Sequence, residues 1–316
     1  MPRPWLSVII PTYNGEQFLA KALASIAEQG DLDIECIIVD DGSTDSTIQI
    51  VGSFAGKFPI VLRDVPRTGN WAANSNLALA NATGEYACFL HQDDFWLPNR
   101  LQTIQGLIRQ YPDAELLLSP AIFVDRQGNS VGRWQCPLPK RYGPVDSELL
   151  KRRLLIQNFI AIPSPVFKRE AALKHEGLDE SLWYTADWDF WLKLAGNKTI
   201  YSPHPMAAFR IHSHSQTVQR SFDTAGFQRQ METVLLRHFN GSAVQGPLRE
   251  RIKRVAMFSI QINAALAARI HGVKLSLRGL LASFVRLGPV GWRIFLRDSR
   301  IRDRISARLR ASIVSK

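Results

Sequence analysis

Cysteine, long apolar runs and glycine-rich phosphate loops are what this 316-residue chain has least of. Its three cysteines, Cys36, Cys88 and Cys136, are odd in number and far apart. They make neither a disulfide framework nor a C-x-x-C metal site, and they read as reduced thiols. No stretch reaches the roughly 18 apolar residues of a conventional transmembrane helix. The N-terminus enters the apolar run Leu6–Ile10 almost at once, with no basic leader or small-residue cleavage site. A signal peptide is therefore not expected, and the chain reads as cytoplasmic. Internal repeats and low-complexity segments are absent as well. Neither G-x-G-x-x-G nor G-x-x-x-x-G-K-[ST] follows the first apolar run, which excludes the dinucleotide-binding and P-loop classes. A sugar nucleotidyltransferase would place a glycine-rich basic loop there, where this chain has Pro11-Thr12-Tyr13-Asn14.

A formal charge of +11 invites a nucleic-acid reading. Its location argues otherwise. From Arg249 to Lys316 the chain carries 16 Lys and Arg against 3 Asp and Glu, while the remainder has 23 basic and 25 acidic residues. The body is nearly neutral and the tail holds the whole excess. That tail shows helical apolar spacing at Ile252, Val255, Ala256 and Ile260, but no aromatic-interleaved groove motif, so nucleic acid is not an expected partner. The segment Leu280–Leu296 is interrupted by Arg286, Pro289 and Arg293 and is not a comfortable span. It reads either as a solvated helical face or as a peripheral contact with an anionic membrane surface, Trp292 and Phe295 entering lipid.

The first hundred residues alternate short apolar runs with helical spacing. Leu6–Ile10 and Cys36–Val39 are apolar on both parities, as strands buried on both faces of a sheet require. Ile60–Leu62 and Tyr86–Leu90 read as further strands. Helices are expected around Phe18–Ile26, after a cap at Ser43 or Thr44, over Trp71–Ala80 and from Pro98. Beyond them, Leu116–Leu118, Ile122–Val124, Thr199–Tyr201 and Ala207–Ile211 are expected strands, Asp125–Asn129 a hairpin turn, and Asp189–Leu194 helical. The pattern predicts a doubly wound α/β fold with a mixed sheet and a basic helical C-terminal appendage. The expected division is a catalytic domain at 1–225, split near 110 into a nucleotide half and an acceptor half, and a helical region at 226–316.

Ligands of open α/β sheets bind beyond the carboxyl ends of the strands. Three polar clusters lie there: Pro11-Thr12-Tyr13-Asn14-Gly15, Asp40-Asp41-Gly42-Ser43 and Gln92-Asp93-Asp94. Paired carboxylates suit Mg²⁺ or Mn²⁺ bridging to phosphates, and an aspartate after the second strand suits a base or ribose. One such pair alone would more often be a solvated or capping pair. Two on successive strand ends favour a site.

These segments resemble those of the family 2 glycosyltransferases, the inverting enzymes of the GT-A fold. Ser7–Gly15 is similar to the opening signature, Ile37–Asp45 to the second, and Gly84–Trp96 to the strand leading into the D-x-D region. Asp187–Leu192 resembles the acceptor-side motif and Phe209–His212 the closing one, so the likeness runs over about residues 5–220. The resemblance implies a metal-assisted enzyme that moves a sugar from a nucleotide diphosphate, a UDP- or dTDP-sugar, to a hydroxyl of a lipid-linked or surface glycan. It implies donor contacts from Pro11, Thr12, Tyr13, Asn14, Asp41 and Asp93, with Arg67 as a replacement cation. Asp93 and Asp94 would hold Mn²⁺ or Mg²⁺, with His91 or His212 as a further ligand, and Asp187 would be the general base. Trp183 and Trp188 are the expected acceptor-stacking residues, while Trp191, at helical spacing from Asp187, reads as core. His212 and His214 read equally as loop histidines.

The chain departs from the family pattern at His91, where an acidic residue is common, at Ala186 before the base, and at Thr68 and Ser75, where an asparagine and an arginine are frequent. These departures keep a second reading open, a catalytically inactive GT-A module that binds nucleotide-sugar or glycan as a regulator or scaffold. The enzyme reading places the protein at the inner face of the cell membrane.

Overall fold

The computed structural model describes residues 3–30, 33–213, 215–241, 244–273 and 277–314. Strand β1 (Leu6–Thr12) and strand β2 (Ile34–Asp40) pair in parallel, flanked by β3 (Ile60–Asp64) and β4 (Tyr86–Phe89). The sheet continues through β10 (Val166–Lys168), β6 (Leu116–Leu118), β11 (Thr199–Tyr201) and β9 (Gly143–Val145). Strand β10 runs antiparallel to both neighbours, which makes this eight-stranded sheet mixed. A second sheet of four strands orders β5 (Phe95–Trp96), β12 (Ala207–Arg210), β7 (Ala121–Val124) and β8 (Ser130–Trp134).

The expected strands are all present to within a residue or two. Their two-sided apolar pattern has a physical cause. Leu6, Val8 and Ile10 of β1 pack into one hydrophobic cluster, with helices α1 (Leu19–Ala27), α2 (Thr47–Phe54) and α4 (Arg100–Gln110). Ile9 faces the other cluster, beside α3 (Trp71–Asn81), α5 (Ser147–Ile156) and α7 (Ala186–Leu194). Helix α6 (Arg169–Lys174) follows β10. The expected cap of α2 is displaced: its N-cap is Ser46, while Ser43 donates its hydroxyl to Asp40 and accepts from the Asn14 N–H. Helix α7 begins at Ala186, earlier than its apolar spacing indicated. The hairpin turn forms as expected, with Asp125 Oδ1 accepting from the N–H groups of Gln127 and Asn129 at 2.9 and 2.8 Å. All three cysteines are free and buried.

The basic C-terminal region is helical: after α8 (Gln216–Arg220) come α9 (Thr224–Asn240), α10 (Gly246–Ile270), α11 (Leu277–Asp298) and α12 (Ile301–Val314). Its apolar stripes enter the same cluster as α3, α5 and α7, through Phe227, Met231, Val234, Ile252, Val255 and Phe295. A buried polar joint reinforces this, with Gln157 Oε1 accepting from Ser259 Oγ at 2.8 Å and from Asn263 Nδ2 at 2.6 Å. Arg278–Asp298 is long and apolar enough to cross a membrane by length and composition. Gly288 (φ 65°, ψ 176°), just before Pro289, breaks it into two helical pieces. Phe295 is 4% exposed and meets Phe258 edge-on, and Trp292 stacks on Phe284 while donating its indole N–H to the Phe284 carbonyl. The two aromatics expected to enter lipid therefore pack inward. The exposed apolar residues of α11 are Leu281, Val285, Val290 and Leu296.

Candidate active site

The carboxyl ends of β1, β2 and β4 open into a cleft of about 580 Å³. Pro11, Tyr13, Asn14, Asp41 and Arg67 line one end. His91, Asp93, Arg210 and His212 lie along it, and Trp134, Asn158, Trp183, Tyr184, Asp187, Arg304 and Arg308 line it farther on.

At the first end, loop meets loop. Asp40, fully buried, accepts from the hydroxyls of Thr12 and Ser43, both at 2.7 Å. Thr12 is thereby committed to the frame instead of facing a ligand freely. Asn14 adopts left-handed backbone (φ 43°), and its side-chain oxygen accepts from the Thr44 N–H at 2.9 Å. Gln92 clamps the first loop through a reciprocal pair, accepting from Tyr13 N–H at 2.8 Å and donating to Tyr13 C=O at 3.0 Å. A side chain at Gly15 would put its Cβ 2.5 Å from that carboxamide oxygen, which explains the glycine. Asp41 accepts from the Thr68 N–H and hydroxyl and from the Gly69 N–H, at 2.7, 2.8 and 2.9 Å, and pairs with Arg67. Burial by itself raises an aspartate, yet these donors hold Asp41 below the usual carboxylate range. The Arg67 guanidinium lies 3.4 Å from the centre of the Tyr13 ring. Thr68, read from sequence only as a departure, is thus the main partner of Asp41. Ser75 is buried, donates to the Trp71 carbonyl and has no part in the cleft.

In the middle of the cleft the adjacent carboxylates part company. The Asp93 carboxylate is partly exposed and lies 2.9 Å from His212 Nε2. Asp94 is 3% exposed, accepts from the Arg210 N–H at 2.9 Å, and is raised well above its usual value by burial. Of the two carboxylates expected to share a metal, Asp93 lies beside His212 and Asp94 is drawn under the Arg210 backbone, where burial disfavours its charged form. Arg210 secures this region by donating to the carbonyls of Asp93, Asp125 and Arg126. His91 is half-buried edge-on to Trp71 with its Nε2 enclosed and unpartnered, and desolvation pushes its pKa down to about 4. Among the described residues no group of three or more His, Cys, Asp or Glu side chains converges as a metal site. Asp93, partly exposed and with His212 beside it, is the carboxylate here that could contribute to a hard cation, which would need its other ligands from elsewhere. His214 lies outside the described residues.

At the far end Asp187 sits in the first turn of α7. Its two oxygens accept from Asn158 Nδ2 at 2.8 Å and from the Trp188 N–H at 2.7 Å. Burial pushes the carboxyl up to about 6, against those two hydrogen bonds and the Arg304 charge. Asp189, two residues on, is fully buried and held ionised by Lys193, Arg237 and His238 at 2.9, 2.8 and 2.8 Å. The motif therefore contains one carboxylate for the cleft and one that anchors α7 to α9. Trp188 is 3% exposed and donates its indole N–H to the Leu154 carbonyl, so it belongs to the core and not to an acceptor. Trp191 is fully buried, as expected. Trp183 is half-buried on the cleft wall, and its carbonyl accepts from the Trp71 indole at 2.8 Å.

Residues 7–175 match the Glycosyl transferase family 2 domain. The chain belongs to glycosyltransferase family 2. An uncharacterized protein of Mycobacterium tuberculosis is 31% identical over 235 residues, which is 69% of this chain and 70% of the relative. An uncharacterized glycosyltransferase of Rickettsia typhi is 27% identical over 220 residues, 68% of this chain and 66% of the relative. Among solved structures, S. aureus TarS 1-349 in complex with UDP-GlcNAc superposes with a TM-score of 0.68 at 20% identity, covering 97% of this chain and 90% of that one. The mannosyltransferase PcManGT from Pyrobaculum calidifontis, in complex with GDP-Man and Mn²⁺, gives 0.56 at 18% identity, covering 99% and 88%. The family 2 enzyme thus has a GT-A-like α/β fold followed by a helical C-terminal region. Sequence reasoning missed Gln92 as the clamp of the first loop, Asn158 as the partner of Asp187, and Arg304 and Arg308. Only Gln92 carried a signal, its place inside the D-x-D segment.

Proposed function

We propose that this glycosyltransferase transfers a sugar from a nucleoside diphosphate to an acceptor hydroxyl in one displacement, with Asp187 as the base. The observation that carries the reading is the half-buried Asp187 carboxyl, raised to about 6 and oriented by Asn158, in the same cleft as Asp41 and Asp93. A base of that pKa is ionised at neutral pH yet still takes a proton readily. The hydroxyl oxygen bonds to the anomeric carbon as that carbon's bond to the diphosphate oxygen breaks. The electron pair leaves with the nucleoside diphosphate, the proton passes to Asp187, and the configuration inverts.

Tyr13, Arg67 and Asp41 offer the base of the nucleotide a flat polar wall, and UDP or dTDP is the preferred carrier. The bound UDP-GlcNAc of TarS supports the first of these. Asp93, with His212, would hold Mn²⁺ or Mg²⁺, which when bound would offset the charge of the departing diphosphate. The Mn²⁺ of PcManGT supports that assignment. Asp187→Asn is expected to lower turnover by about 10³-fold or more while UDP affinity, measured by calorimetry with Mn²⁺, stays within a few-fold. Normal turnover would overturn the assignment of the base.

The acceptor is a membrane-proximal glycan in this reading, and the protein works at the inner face of the membrane. The exposed Leu281, Val285 and Leu296 of α11, among Arg278, Arg286 and Arg293, support it. The full chain should co-sediment with vesicles containing anionic lipid, and Leu281→Glu/Val285→Glu should abolish this. Equal sedimentation of both proteins would exclude attachment through α11.

A further inference from the structure

The C-terminal helix α12 does not merely follow the catalytic fold; it closes one wall of the cleft. Ala307 packs 3.5 Å from where a Cβ on Gly132 of β8 would lie, and with Ala311 it covers Phe123 and Val131. A glycine on the strand and small residues on the helix let the two backbones approach closely. This docking carries Arg304 and Arg308, one helical turn apart, into the acceptor end of the cleft.

Arg304 donates to the Asn158 carbonyl and stacks over the Trp134 ring at 5.0 Å. It is half-buried beside Tyr184 and Asp187, and desolvation, with a smaller contribution from the Arg308 charge, depresses it to about 10. Asp303, on the same helix, is taken by Arg300 at 2.6 Å. Among the described residues neither Arg304 nor Arg308 makes an ion pair, and Arg308 has no hydrogen-bond partner. The other arginines along the cleft are engaged, Arg67 with Asp41, Arg210 with three carbonyls, and Arg220, like Arg304, with one backbone carbonyl, which leaves Arg308 the unpartnered cation of the cleft among the described residues. Two cations at i and i+4 repel one another, and burial of one of them raises that cost. The one carboxylate at this end, Asp187, is occupied by Asn158 and its own helix N-terminus and is needed for the proton.

We infer that Arg304 and Arg308 form an anion site for the acceptor, so that the accepting hydroxyl belongs to a molecule carrying a phosphate or carboxylate close to it. The inference rests on the proposed transfer reaction for the word acceptor, but the anion site itself does not. A guanidinium pair recognises a phosphate with several charge-assisted hydrogen bonds and a carboxylate with fewer. Its anion would lie beside Asp187 without contacting the donor diphosphate, which Asp93 and His212 serve at the middle of the cleft.

The test has two arms. In the first, inorganic phosphate is titrated by calorimetry into full-length protein already saturated with UDP and Mn²⁺, so that the donor site is closed to it. Binding should weaken about tenfold or more in Arg308→Gln and be largely kept in Arg308→Lys, which retains the charge. Arg308 is exposed and unpartnered, so its replacement does not threaten folding, and unaltered UDP affinity verifies this. Absence of phosphate binding, or equal binding by wild type and Arg308→Gln, overturns the inference. In the second arm, transfer to glucose, glucose 6-phosphate and glucuronate is compared. The ratio of kcat/KM for either anionic acceptor over glucose should exceed one in wild type and collapse in Arg308→Gln; a preference for the phosphate over the carboxylate identifies the class. A ratio at or below one in wild type also overturns the inference. Phosphate binding without transfer to any sugar would count against the proposed reaction and leave the anion site standing.

Discussion

Asp41 and Asp187 stand at opposite ends of one cleft and are held in opposite ways. Asp41 is kept ionised by hydroxyl and N–H donors from Thr68 and Gly69, a single loop that turns back on the strand carrying the aspartate. Asp187 is pushed toward neutrality by burial, opposed by Asn158, a neighbouring N–H and the Arg304 charge. The wall around Asp187 comes from far along the chain, because Arg304 reaches the Asn158 carbonyl across 146 positions. The contrast shows a division of labour. In the proposed reaction the Asp41 end would gain from permanent ionisation in holding the nucleotide, and the Asp187 end from a proton affinity near neutrality.

The contrast breaks most visibly at Asn158. Asn158→Ala removes a charge-assisted hydrogen bond of about 1.5–3 kcal/mol, so turnover at pH 7 should fall by about 10- to 100-fold. UDP affinity should not move, because the donor end shares no hydrogen bond with that side chain. The direction of the pH effect is fixed by the same bond. Asn158 stabilises the ionised form, and its loss raises the Asp187 pKa still further. In the wild type, log kcat should fall with unit slope below about pH 6, where the carboxyl takes up its proton and cannot accept another. In Asn158→Ala the same limb should shift to higher pH. A superimposable pH profile in the two proteins would show that Asp187 is not the titrating base.

The smaller effect belongs to the donor end. Gly15→Ala drives a Cβ against the Gln92 carboxamide, which both accepts from and donates to Tyr13. Losing part of that pair costs about 1 kcal/mol, so UDP affinity should drop about fivefold with the pH profile unchanged. A shift of the pH midpoint in this variant would mean that the two ends are coupled and the division is false.

Much of the donor half was legible in the residues themselves. Strands β1 and β2 are buried on both faces and so carry apolar residues on both parities over Val8–Ile10 and Cys36–Val39, a pattern that needs no knowledge of partners. The polar clusters at their carboxyl ends then stand out, and Asp41, Tyr13 and Asp93 do line the cleft. Strands β5, β9 and β10 were not legible, since β5 is two residues long, β9 is Gly143-Pro144-Val145 and β10 directly follows Pro165, where glycine and proline signal a loop. Asp93 and Asp94 look alike in sequence, but chain direction at the end of β4 turns one toward His212 and the other under the Arg210 backbone. Trp188 and Trp183 were equally ambiguous, and only packing buries the first against Leu154.

By itself the amino-acid order determined the alternating core, the positions of the strand-end carboxylates and a C-terminal region that is helical and basic. Each of these is a local property, written in periodicity, side-chain charge and residue type over a few turns of chain. Tertiary structure alone decided which carboxylate is ionised, which tryptophan is buried and which of the many tail arginines reach the cleft. Proton affinity depends on desolvation and on neighbours remote in sequence, and Arg304 becomes a cleft residue because Ala307 and Ala311 dock α12 against Phe123 and Val131.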